Sequence, residues 1–150
     1  MGCSNLKEAA CGSGVINMPG TYRNCTSLTE AVSGLNVREM SYTYEGCSNL
    51  VNAACGSLVT DLYYTYKNCH NLLSPVCGAN VINMIGTYSN CIGIKTAPVC
   101  GANVVDMSEA YVGCTNLKGK AVCGAKGTNM HRAYAGCINL NNTAVCGNNV

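Results

Sequence analysis

Thirteen cysteines among 150 residues are the chain's most reactive endowment. Thiols can pair as disulfides, ligate soft metals or attack electrophiles, and each chemistry demands its own spacing. A zinc site asks for close pairs such as Cys-x-x-Cys with a matching Cys or His pair. No two cysteines here stand closer than eight residues, so no zinc pattern exists. His70 and His131 occupy unrelated places in the pattern below, and Asp61 and Asp106 belong to a column with a structural use of its own. Assembling Ser, His and Asp would draw residues from three separate faces. The expectation is therefore no catalytic set, no metal site and no cofactor.

What the cysteines do show is order. Cys3, Cys25, Cys47, Cys69, Cys91, Cys114 and Cys137 follow one another at intervals of 22 or 23 residues. Cys11, Cys55, Cys77, Cys100, Cys123 and Cys146 form a second series, its one vacancy filled by Ser33. Tyr22, Tyr44, Tyr66, Tyr88, Tyr111 and Tyr134 each stand three before a first-series cysteine, and Met18, Met40, Leu62, Met84, Met107 and Met130 four before those tyrosines. An internal repeat of this period means a stacked architecture in which each unit contacts its neighbours. The expected fold is a repeat solenoid of about six to seven rungs, a single array over residues 1–150.

Each column implies a local conformation. Only Gly or Asn precedes the first cysteine, which reads as a left-handed stop. Eight before it stand Asn17, Glu39, Asp61, Asn83, Asp106 and Asn129, mostly capping residues. A short helical or 3-10 turn is expected between these signals, with Met and Tyr on its inner face. A short strand should run from Asn-Leu to Val-Cys, as in 71–77, and end at a glycine corner. The interval between first and second cysteines lengthens from eight to nine in the last three units, whereas the return interval is always 14. The variable stretch is the one expected to face water.

The run Asn-Val-x-Asp-Met-Ser-x-x-Tyr-x-Gly-Cys-Thr-Asn-Leu, from Asn103 to Leu117, resembles the BspA-like leucine-rich repeats of bacterial and mycoplasma-type surface proteins. Similar arrays occur in phage host-recognition proteins. The resemblance spans essentially the whole chain, with Tyr where that family usually carries Phe and a second Cys-Gly in place of its aliphatic strand. It implies a leucine-rich-repeat-like coil and a non-enzymatic adhesion or binding role outside the cell or on a virion surface.

Within such a coil the cysteines are expected to form a buried ladder of free thiols rather than a disulfide framework. Their number is odd, Ser33 leaves Cys25 without an in-unit mate, and stacked Cβ atoms would lie farther apart than a disulfide prefers. The core ladder then comprises the first-series cysteines and the six spaced tyrosines. Met1-Gly2-Cys3 suggests lipidation, but Leu6 stands where myristoylation wants Ser or Thr. Gly2-Cys3-Ser4-Asn5-Leu6 is also the repeat's own consensus. A net charge of +2 is too small for nucleic-acid binding, and the uncharged run 68–94 is broken by Asn, Gly, Ser and Pro75, which argues against membrane insertion.

The variable columns carry the functional expectation. Five before the first cysteine stand Gly20, Tyr42, Tyr64, Gly86, Glu109 and Arg132; one earlier stand Pro19, Ser41, Tyr63, Ile85, Ser108 and His131. Tyr42, Tyr63 and Tyr64 should form an aromatic patch suited to a glycan or protein receptor, with His131 and Arg132 extending the same columns. Arg23, Glu45 and Lys67 alternate in sign down another. The chain starts and stops in mid-repeat, so it reads as an uncapped piece of a longer array, or as a subunit that stacks end to end into a filament or fibre.

Overall fold

The computed structural model describes residues 2–122 and 124–145. Successive units lie side by side in parallel. Bridges join Asn17 to Glu39, Glu39 to Asp61, Asp61 to Asn83, Asn83 to Asp106 and Asp106 to Asn129. A second line joins Glu30, Asn52 and Ser74. On that side two strands form, β1 (Gly119–Val122) and β2 (Leu140–Val145), paired in parallel with an irregular register after Gly119. The strand expected in every unit, as at 71–77, is reduced in the earlier units to single bridges at Glu30, Asn52 and Ser74. Pro75 and Pro98 lack the N–H that a ladder requires, and the Tyr22, Tyr44 and Tyr66 hydroxyls take the backbone groups of Ala10, Val32 and Ala54.

No helix occurs among the described residues. The segment expected to be helical is a chain of turns, and its hydrogen bonds show why. Thr43, Glu45 and Cys47 donate their N–H groups three residues back, to Met40, Tyr42 and Tyr44. The N–H groups between them, of Tyr42, Tyr44 and Gly46, donate instead to Tyr63, Thr65 and Lys67 of the next unit. An α-helix needs every N–H directed four residues back along its own segment. Here every second donor serves the neighbouring unit, so a helix cannot close.

The backbone angles agree. Asn24, Gly46, Asn68, Asn90, Gly113 and Gly136 have positive φ, as their types suggest. A second left-handed position recurs four residues earlier, at Gly20 (62°), Tyr42 (57°), Tyr64 (49°), Gly86 (58°), Glu109 (57°) and Arg132 (54°). Positive φ at the third place of a four-residue turn is the type II arrangement, and Met18-Pro19-Gly20-Thr21 carries its preferred residues. The Asn/Asp column caps these turns: Asp61 Oδ1 accepts from the Tyr63 N–H at 2.8 Å, and Asp106 Oδ1 from Ser108 at 2.8 Å. Between units, Asn83 Nδ2 donates to Asp61 Oδ2 at 3.1 Å and Asn129 Nδ2 to Asp106 Oδ2 at 3.0 Å.

The glycines after the second-series positions, Ser33 included, are needed for close approach between units. A Cβ on Gly34 would sit 2.7 Å from the Cys11 sulfur, and one on Gly78 2.9 Å from that of Cys55. The interior repeats Met or Leu, Leu or Ile, Val, Tyr and Cys, all with essentially no exposure in the central units. Tyrosine rings stack along it from Tyr22 to Tyr134, with centroids 5.1 to 5.6 Å apart.

Candidate functional site

Tyr42 and Tyr64 project from the second left-handed position of adjacent turns. Their rings stack at 5.7 Å with an 8° tilt. Tyr63 meets both at right angles, 5.2 Å from Tyr42 and 4.6 Å from Tyr64. Cations lie over the pair: Arg23 Cζ is 5.5 Å from the Tyr42 centroid and Lys67 Nζ 4.7 Å from that of Tyr64. The Tyr64 ring crosses Gly86, where a Cβ would overlap it, and its hydroxyl donates to Glu109 Oε2 at 3.0 Å. Burial and that carboxylate push the Tyr64 phenol up to about 12. Tyr42 is also raised, first by its hydrogen bonding with Tyr63 and then by burial.

This packing changes what the patch offers. The Tyr42 and Tyr64 faces are engaged with each other, with cations and with Gly86, so edges and hydroxyls of a half-exposed cluster remain for a ligand. Of the alternating charges, Arg23 Nε lies 2.7 Å from Glu45 Oε2, though misaligned for a hydrogen bond, while Lys67 caps Tyr64. His131 and Arg132 are exposed but sit three units beyond Tyr64, with Gly86 and Glu109 in between; they do not join the cluster. Lys67 and Glu109, which the sequence did not single out for this cluster, complete it. A search of their columns against Tyr64 could have found them.

Among the core cysteines, Cys25, Cys47, Cys69, Cys91 and Cys114 are buried, Cys137 is half-buried and Cys3 exposed; all described cysteines are free thiols. The Cys47, Cys69, Cys91, Cys114 and Cys137 thiols donate to the carbonyls of Tyr22, Tyr44, Tyr66, Tyr88 and Tyr111 in the preceding unit, at 2.9 to 3.1 Å. Burial pushes Cys47 and Cys114 up to about 12, and Cys69 and Cys91 well above the ordinary range. A nucleophilic thiol needs the opposite shift. Tyr44 donates to the Val32 carbonyl at 2.6 Å and accepts from its N–H at 2.9 Å; Tyr22, Tyr66 and Tyr134 make the same pair of bonds with Ala10, Ala54 and Val122, and Tyr88 donates to Val76.

Tyr111 breaks this rhythm. Val99, twelve residues before it, is 94% exposed, and the buried Tyr111 hydroxyl has no hydrogen-bond partner. Beside it the second cysteine column is half-buried at Cys77 and Cys100; Cys123 and Cys146 lie outside the described residues. Hydrogen bonding between Cys77 and Cys100 raises the first thiol and lowers the second. A cavity of about 260 Å³ reaches Cys100 between Pro98, Val99, Lys118, Lys120 and Val122. No group of three His, Cys, Asp or Glu side chains gathers among the described residues. No family model matches the chain, and no curated protein or solved structure is found to resemble it.

Proposed function

We propose that the chain is a solenoid of leucine-rich-repeat type that acts without catalysis, as a recognition surface displayed outside a cell or on a virion. Its contact is the Tyr42, Tyr63 and Tyr64 cluster with Lys67 and Glu109 beside it. The observation carrying this reading is the geometry of those rings. Three tyrosines already ordered against one another lose little freedom on binding, and they combine apolar edges with hydroxyls. With two ring faces covered, a protein receptor is favoured over a stacked sugar, which needs an open face.

The repeat supplies its own replacements for the test. Gly occupies the Tyr42 and Tyr64 column at Gly20 and Gly86, and Ser the Tyr63 column at Ser41 and Ser108. The chain carrying Tyr42→Gly, Tyr63→Ser and Tyr64→Gly should unfold like the parent yet lose adhesion to a panel of intact bacterial and eukaryotic cells. Protease treatment of the cells should abolish parental binding, whereas glycosidase sensitivity would assign a glycan. Equal adhesion of parent and variant would sink the assignment. Concentration-dependent growth in light scattering would favour the fibre subunit.

A further inference from the structure

Three sulfur atoms converge where the tyrosine rhythm breaks. Met84 is fully buried, and its Sδ lies 3.5 Å from Cys77 Sγ and 3.4 Å from Cys100 Sγ. The two thiols belong to adjacent units. In the earlier units the set is incomplete, and the sets of Met107 and Met130 would include Cys123, which lies outside the described residues. Met18 has Cys11 at 3.6 Å, but Ser33 occupies the next unit; Leu62 stands between Cys55 and Cys77. Cys and His spacing does not reveal such a set, because its third donor is a methionine.

We propose that Cys77, Met84 and Cys100 bind one Cu(I) ion, reached through the cavity flanked by Lys118 and Lys120. Two thiolates and a thioether are soft donors, the combination that selects Cu(I) over harder ions. A structural zinc site would want four ligands from Cys, His or carboxylate. With metal–sulfur bonds of about 2.3 Å, a trigonal set needs sulfurs about 4.0 Å apart. The present separations open to that by roughly half an ångström, within reach of small rotations of the two half-buried thiols. Binding releases one proton from each thiol and leaves a complex of charge −1. The ammonium groups at the cavity offset that charge, and the buried Tyr111 hydroxyl beside Cys100 gains a thiolate to donate to.

The test is an anaerobic titration of the reduced chain with Cu(I) against a chromophoric Cu(I) chelator. Cys3, Cys11, Cys123 and Cys146 are first replaced by Ser to remove competing thiols. One equivalent should leave the chelator. Cys77→Ser or Cys100→Ser should abolish uptake, and Met84→Leu should weaken it at least tenfold. Ser33 and Leu62 already occupy these columns, so the replacements suit the fold, and urea unfolding checks this for each chain. X-ray absorption should report three sulfur ligands, falling to two in Met84→Leu. No uptake against the chelator, uptake unchanged by Cys77→Ser and Cys100→Ser, or a coordination number indifferent to Met84→Leu would each overturn the site.

Discussion

The tyrosine column contains a built-in contrast. Tyr66 and Tyr111 are equally buried and both stacked, yet Tyr66 bonds both backbone groups of Ala54 while the Tyr111 hydroxyl has no backbone partner. Phe keeps the ring and its stacking in either place. Tyr66→Phe removes two hydrogen bonds at about 1 kcal/mol each, so about 2 kcal/mol should be lost. Tyr111→Phe removes a buried polar atom whose desolvation costs about 1–3 kcal/mol, so stability should be unchanged or raised by about 1 kcal/mol. For a urea slope of about 2 kcal/mol/M, the midpoint falls by about 1 M in the first variant and stays or rises in the second. Equal slopes would confirm that the unfolded states are comparable. If Tyr111→Phe lowered the midpoint as far as Tyr66→Phe, the account of this column would be wrong.

Alkali should unfold the protein through its thiols. Burial pushes the folded Cys47 and Cys114 thiols up to about 12, against about 8.5 for a free thiol. The folded chain therefore holds protons that the unfolded chain releases, and stability present below about pH 8.5 declines as pH rises towards 12. Urea midpoints at pH 8 and pH 10.5 should differ, and the difference should shrink when both residues are Ala; a flat profile would refute the burial argument. Gly86→Ala places a Cβ at φ 58° and against the Tyr64 ring. The left-handed strain of about 1–2 kcal/mol plus the displaced ring should lower stability by about 2 kcal/mol. Combining it with Tyr64→Gly should leave only the backbone part, and an equal loss with or without the Tyr64 ring would remove the overlap from the explanation.

Legibility in the sequence followed chemistry that repeats. Gly or Asn before each first cysteine announced a left-handed backbone, and positive φ occurs there from Asn24 to Gly136. The second left-handed position was hidden because Tyr42, Tyr64, Glu109 and Arg132, poor indicators of positive φ, share it with Gly20 and Gly86. Without it, the spacing of Met and Tyr reads as helix. Only the Pro19-Gly20 pair signalled a turn. The neighbourhood of Tyr42, Tyr63 and Tyr64 could be placed from column arithmetic, but the covering of their faces by Arg23, Lys67 and Gly86 required side-chain directions. The meeting of Met84 with two thiols is out of view for another reason: each column satisfies a core position on its own, and only side-chain directions bring the three sulfurs together.

The alternating turn bonds have an electrical consequence. The N–H groups of Met40, Tyr42, Tyr44 and Gly46 all point towards the following unit, as do their counterparts along the chain. A smaller set, including Arg38 to Ile16 and Thr60 to Arg38, points back. Each peptide carries about 3.5 D, so the unequal sets leave a net polarisation along the stacking axis. Its sense is the reverse of an α-helix: carbonyls face the lower-numbered units and N–H groups the higher-numbered ones. A cation is therefore drawn to the low-numbered side of any unit and an anion to the high-numbered side, which makes the two flat sides of this uniform-looking stack chemically unlike.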